Sequence, residues 1–356
     1  MTNIAQAKAQ LDKILRKSRV HFYKPLQIAE ILHRHRTKSA KFSLDDLNSY
    51  RTRSKSWRDE ISKRLVGRSS TSSARFQDNL FEPNACPPAA IEALGKFNEK
   101  KGQIGAVEAY IYLMMRNKFN DIVEARNFLL VKGTKLNIEG FINLFERKPG
   151  LKRSVDKAYE ICVYALFAAI VKLLKVELTM RYDSSNKQAI ADFKEFISSV
   201  LGINGSDGEI HFPAQLHRVG VTNAADRGLD MFTNFGIAVQ IKHMSLTEEL
   251  AEDVIDSVTA NDIVIVCKDA EEKIIKNVLS QVGLDQRIRG IITFKDLKRW
   301  YDIILSEQKY GAETARNLTQ SLIQSFEDEF PATDQMLPFM KERGYDKIKL
   351  PKGWEI

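Results

Sequence analysis

The spacing of hydrophobic positions changes along this 356-residue chain, and the changes divide it. From Ser154 to Val176 apolar side chains follow one another with few interruptions, and Ser154 is placed to cap, which predicts a helix buried on all sides. Gly228-Leu-Asp-Met-Phe-Thr233 then alternates into a short turn, Asn234-Phe-Gly236. Ile237-Ala-Val-Gln-Ile-Lys-His243 resumes at strand length with β-branched residues, so the two runs predict an antiparallel hairpin. Beyond it the pattern predicts a helix from Ser245 to Val258, a buried strand over Asp262–Cys267 and a helix near 270–282. A strand from Ile288 to Phe294 and a helix starting at Lys295 follow. Helix, hairpin, helix, strand, helix, strand is the order of a mixed α/β core with one sheet flanked by helices.

If the hairpin turn centres on Phe235, residues whose numbers sum to 470 lie opposite one another. Asp230 then faces Gln240 with Cβ atoms about 5 Å apart. Lys242 follows on the same face, because strand side chains repeat every second residue. A hard divalent ion such as Mg²⁺ takes oxygen ligands, and the Asp230 carboxylate and Gln240 amide oxygen offer two from one face. Lys242 beside them can orient a water molecule or offset charge developing on a phosphate. This chemistry suits phosphodiester hydrolysis. The plain alternative is an ordinary hairpin with one acid, one amide and one lysine, all common residues.

The context of the hairpin separates these readings. Residues 154–306 resemble the PD-(D/E)xK nuclease superfamily, in which an Asp ends one strand and an acidic-x-Lys pair lies on the next. Leu229 stands where the superfamily has proline, and Gln240 where it has an acid. The missing charge calls for a further acidic ligand, with Glu160 on the long helix, Asp226, Glu177 and Glu209 as candidates. Glu160 has the competing role of an ion pair with Lys157 or Arg153. Asp226 can equally cap a turn. A narrower resemblance rests on Thr222-Asn-Ala-Ala-Asp-Arg-Gly-Leu-Asp-Met-Phe-Thr-Asn-Phe-Gly236 running into Gln240-Ile-Lys-His243. With Tyr23-Lys-Pro-Leu-Gln-Ile-Ala-Glu-Ile-Leu32 and Ser56-Trp-Arg-Asp-Glu60, this is similar to HaeII-type restriction endonucleases. That resemblance implies Mg²⁺-dependent cleavage of both strands of duplex DNA at a short GC-rich palindrome, purine-GCGC-pyrimidine. It also implies a homodimer matching the two-fold site, and a separate DNA methyltransferase that protects host DNA. A superfamily nuclease of repair or recombination, and a non-catalytic nucleic-acid-binding protein with a degenerate nuclease fold, are the alternatives. Gln240 keeps the last one open.

Composition sharpens the picture at the N-terminus. The net charge is +8, yet residues 1–75 hold 18 Lys and Arg against 6 Asp and Glu, while the rest hold 36 against 40. The polyanion-binding signal therefore lies at the start of the chain. Arg51, Arg53, Lys55, Arg58, Arg68 and Arg75 stand among small hydroxyl residues suited to phosphate contacts, and these are the candidate DNA-binding residues. The expected division is a basic helical region over 1–80, a helical middle over 81–153, a catalytic core over 154–310 and a C-terminal helix with a polar tail over 311–356. Cys86, Cys162 and Cys267 are too scattered for a zinc ribbon or a disulfide framework, which points to a reducing cytoplasm. The Ile161–Val171 run is closed by Lys172 and Lys175 short of a bilayer span, and no signal-peptide pattern opens the chain. With no Gly-x-x-x-x-Gly-Lys-Ser/Thr loop, an ATP-driven translocase is disfavoured.

Overall fold

The computed structural model describes residues 3–18, 22–69, 77–205, 208–219, 229–258, 260–271, 273–274, 277, 287–330 and 335–355. The chain divides into two units, one made of residues 1–158 with 323–356 and the other of 159–220 with 225–322.

The first unit is helical: α1 (Ile4–Lys17), α2 (Tyr23–Arg36), α3 (Leu47–Val66), α4 (Pro88–Asn98), α5 (Ala106–Lys132) and α6 (Ile138–Arg147). Side chains of Asn3, Asp46 and Asn137 accept first-turn N–H groups of α1, α3 and α6, which would otherwise lack partners. Helix α1 buries Ala7, Leu11, Ile14 and Leu15, the stripe its spacing predicts, and packs on α2 and α4. Residues 1–80 and 81–153, separated in the sequence reading, thus share one core. The C-terminal residues join it as well. Phe326 packs against Phe141 and Phe145, and Trp354 is buried, stacked on Phe97 at 5.1 Å and edge-on to Tyr110. What reads as a polar tail is therefore internal, because a few widely spaced aromatics carry its packing.

Two carboxylates are fully buried in this unit. Glu108 accepts hydrogen bonds from Arg36 (2.9 Å), Asn98 (2.7 Å) and the Tyr345 hydroxyl (2.6 Å), with His33 Nδ1 at 3.2 Å. Burial alone would raise its pKa. The bonds from Arg36, His33 and Tyr345, with the Arg36 charge, outweigh that and hold it at about 2. Glu30 is bonded by Tyr112 (3.0 Å) and Arg343 (2.9 Å). Tyr345 and Arg343 thereby tie the C-terminal segment to α2 and α5 through charge-assisted bonds.

The second unit holds the sheet. It opens with α7 (Val155–Leu174), followed by strands β1 (Glu177–Arg181) and β2 (Glu209–Pro213), an antiparallel pair with α8 (Lys187–Asp192) between them. A five-stranded sheet comes next, in the order β3 (Leu216–Arg218), β4 (Met231–Thr233), β5 (Ile237–Ser245), β6 (Asp262–Asp269) and β7 (Ile288–Thr293). The first three strands are antiparallel and the last three parallel, which makes the sheet mixed, as expected. Helices α9 (Glu248–Ser257) and α10 (Phe294–Leu305) accompany it, and a further helix, α11 (Glu307–Glu329), begins in this unit. Ala238, Ile263, Ile265 and Cys267 pack with Ala251 and Val254 of α9 and with Val258 just after it, while Val266 is buried on the opposite face. Parallel strands covered on both sides read as continuous apolar runs, and β6 is one.

Boundaries shift where local hydrogen bonding competes with periodicity. Strand β5 continues to Ser245, paired with Asp269, and α9 starts only after Thr247, whose side chain accepts from Leu250 N–H. Phe294 belongs to α10 and not to the strand before it, because Thr293 and Asp296 form a reciprocal capping box. The expected helix near 270–282 falls mostly outside the described residues. The β1–β2 pair and the three-residue β3 were not anticipated from the sequence pattern. No described helix is long and apolar enough to cross a membrane.

Candidate active site

Strands β4 and β5 pair Met231 with Val239 and Phe232 with Ala238, the register that a turn centred on Phe235 demands. One step further, Asp230 leaves the strand beside Gln240. Its carbonyl accepts from Val219 N–H (2.9 Å), and its Oδ2 accepts from Ile241 N–H (2.7 Å). Asp230 is therefore pinned to both neighbouring strands, with its carboxylate directed at β5.

Gln240 is 2% exposed, and its Oε1 is buried without a hydrogen-bond partner among the described residues. An unsatisfied buried amide oxygen costs about 1–3 kcal/mol, which a cation beside Asp230 would relieve. Lys242 lies two residues on, half-buried, in register with Cys267 as Gln240 is with Ile265. Among the described residues its ammonium has neither a hydrogen bond nor an ion pair.

Glu160 on α7 is buried, and its carboxylate lies 3.9 Å from the Arg218 guanidinium. That pairing replaces the expected ones with Lys157 or Arg153. Arg218 is the cross-strand partner of Met231, and its neighbour Val219 bonds Asp230. The ion pair therefore ties Glu160 to the strand beside Asp230. Sequence reasoning missed Arg218, since a three-residue strand leaves no readable alternation. Asp226 lies outside the described residues. Glu177 and Glu209 belong to the β1–β2 pair, apart from the five-stranded sheet.

Asp230 and Gln240 offer oxygen donors only, which fits a hard divalent ion, and the orphaned Gln240 oxygen supports that fit. Glu160 pairs with Arg218, whose register with Met231 and Val239 sets it on the other sheet face from Gln240. No group of three or more His, Cys, Asp or Glu side chains suited to a metal occurs among the described residues. His217 is accounted for by stacking on Phe232 at 5.0 Å.

The basic candidates lie in the helical unit. Arg58 is 1% exposed and bonds Gln27, Asp59 and Gln77. It is an internal strut, and a DNA contact from it has no support. Arg51 and Lys55 share Asp78, at 2.9 and 2.8 Å. Arg53 donates to the Lys41 carbonyl and lies over Trp57. Arg68 donates to the Glu329 carbonyl. Arg75 lies outside the described residues. Much of the N-terminal positive charge thus serves packing as well as surface potential.

A mixed sheet flanked by helices, with Asp, Gln and Lys gathered on one hairpin, defines a nuclease-like α/β protein. Comparison with known proteins makes this specific. The model of the HaeII restriction endonuclease family matches residues 7–345. The type II restriction enzyme NgoBI of Neisseria gonorrhoeae is 46% identical over 345 residues, covering 96% of this chain and 97% of that one. The type II restriction enzyme HaeII of Haemophilus aegyptius is 44% identical over 350 residues, covering 98% of each. The chain belongs to the HaeII restriction endonuclease family and is a type II restriction endonuclease. The repair-nuclease and non-catalytic alternatives are thereby set aside. No solved structure matches the chain.

Proposed function

We propose that this endonuclease uses Mg²⁺ to hydrolyse one phosphodiester bond in each strand of duplex DNA at a short GC-rich palindrome, purine-GCGC-pyrimidine. The reading is carried by the orphaned Gln240 oxygen between Asp230 and Lys242 on one face of the hairpin. Asp230 and Gln240 would hold the ion, with the further acidic ligand supplied by a residue such as Asp226. When bound, it supplies Lewis acidity and positive charge at the scissile phosphate. Asp230 is oriented for this by the Ile241 N–H. The Lys242 ammonium orients the attacking water and offsets the charge that grows on the phosphoryl oxygens. A buried neutral amide in place of an acid predicts weaker ion binding than a three-carboxylate site.

The recognition sequence rests on the family resemblance alone. A homodimer brings one such hairpin to each strand of a palindrome. The chain acts on cytoplasmic DNA, consistent with three free, buried cysteines, and a separate methyltransferase shields host sites. Exposed parts of Arg51 and Arg53 supply nonspecific phosphate attraction.

The test is incubation with unmethylated phage DNA and Mg²⁺, with an EDTA control, followed by mapping of the ends. Discrete Mg²⁺-dependent fragments ending in purine-GCGC-pyrimidine, absent after methylation of those sites, are expected. Fragments sharing another sequence overturn the proposed specificity, and cleavage that survives EDTA overturns the metal site.

A further inference from the structure

Among the described residues of the arm formed by 174–213, Ile203 is the one buried hydrophobic side chain. Nothing is buried in the helical segment 187–201 that joins β1 to β2. Phe193, Phe196 and Val200 in that segment are 61%, 52% and 65% exposed. A two-stranded ribbon is marginally stable in water, and exposed aromatic residues grouped on one arm mark a contact surface. Residues 175–213 hold 4 Lys and Arg against 6 Asp and Glu, so the arm is not a DNA-phosphate surface.

The outer edge of β1 identifies the occupant. Ala214 N–H bonds the Val176 carbonyl and Tyr182 N–H bonds the Gly208 carbonyl, so even-numbered residues of β1 direct their backbone groups at β2. Glu177, Thr179 and Arg181 therefore direct theirs at the free edge. Their side chains are exposed, and β1 has no other strand neighbour among the described residues. If β1 pairs antiparallel with the same strand of a second copy about Thr179, Glu177 meets Arg181 twice and Thr179 meets Thr179. Each of these is a favourable cross-strand pair. Strand β2 offers no such match, because the same operation sets Glu209 against Pro213, which has no N–H.

We infer that β1 is the centre of an isologous interface in which two copies join their arms into a continuous sheet, β2-β1-β1-β2. This deepens the homodimer reading proposed above and rests on it. The charges blunt the edge towards other strands, since only the two-fold register brings opposite signs together. The base of the arm is fixed to the catalytic hairpin. Asn234 in the β4–β5 turn accepts from Gln215 N–H (2.8 Å), donates to the Pro213 carbonyl (3.0 Å) and bonds Gln215 through its own N–H (3.1 Å). Joined arms thus couple the hairpins of the two copies.

Sedimentation equilibrium of the full chain tests this with Glu177→Arg and Arg181→Glu. Each alone creates two like-charge pairs, and each is expected to weaken the dimer by at least about tenfold. An equimolar mixture of the two restores opposite pairs and is expected to recover wild-type dimer content. A monomeric wild type, single variants that dimerise like the wild type, or a mixture that fails to recover overturns the interface. Thr179→Cys supplies a measurement that leaves the charges intact, because the two thiols would face each other across the axis. A short bis-maleimide should join them into a covalent dimer, and its failure overturns the register. Discrete DNA cleavage by a chain without these effects removes the interface and leaves the proposed function standing. A chain that pairs this way and cuts no DNA keeps the interface and removes the function.

Discussion

Three deeply buried polar side chains, Glu108 and Glu30 in the helical unit and Gln240 in the sheet unit, are treated oppositely. In the helical unit, Glu108 and Glu30 are enclosed, and each is met by an arginine and a tyrosine hydroxyl, Glu108 by Asn98 as well. In the sheet unit, Gln240 is as deeply enclosed, yet its Oε1 has no donor among the described residues. A satisfied buried carboxylate holds elements together. An unsatisfied oxygen beside an oriented Asp is the position the proposed cation would take, since a bound ion would offset its desolvation. Orphaned amide oxygens also occur in the helical unit, at Gln10 and Gln103, but those side chains are half-buried, whereas Gln240 is itself enclosed.

The contrast breaks most sharply at the hairpin. Asp230→Ala and Lys242→Ala should each reduce cleavage by about 100-fold or more while DNA binding persists, read by fragment formation beside a gel-shift assay. Near-normal turnover by either variant removes that residue from the site. In the helical unit the loss is of stability. Glu108→Ala leaves the half-buried Arg36 and the Asn98 and Tyr345 donors without their acceptor and should cost about 2–3 kcal/mol in urea unfolding. A cost below about 1 kcal/mol would make the network incidental.

Acid titration sharpens the same point. The pKa of Glu108 is lowered from 4.5 to about 2 in the folded protein, so the unfolded state binds its proton first. Its contribution, on the order of 3 kcal/mol, is fully present above pH of about 4.5 and fades as pH falls towards about 2. Glu108→Gln should flatten that part of the stability-against-pH curve, and an unchanged slope would assign acid sensitivity elsewhere. The smallest effect is the most diagnostic. Gln240→Met removes an unsatisfied oxygen at nearly constant volume and should stabilise the metal-free protein by about 1 kcal/mol while impairing cleavage. Destabilisation together with unchanged cleavage would mean that the amide oxygen is structural.

Legibility from sequence tracked how local the governing interactions are. The β4–β5 register followed from a three-residue turn, since period-two alternation and turn length together leave one pairing. Strands β6 and β7 and helix α7 were legible because long apolar runs need no partner to be recognised. Strand β3 was not, being three residues long, and neither was the β1–β2 arm, whose strands bury no residue that would mark them as such.

The site divides along the same line. The sequence by itself determined the α/β core, the hairpin and the presence of an acid, an amide and a lysine on one face, because these depend on neighbours within about ten residues. Tertiary structure alone decided that Gln240 is buried without a donor, that Glu160 pairs with Arg218, and that Arg58 and Trp354 are internal. Those facts are sums over contacts from distant segments. A side chain's burial and its last hydrogen-bond partner exist only once those segments have met.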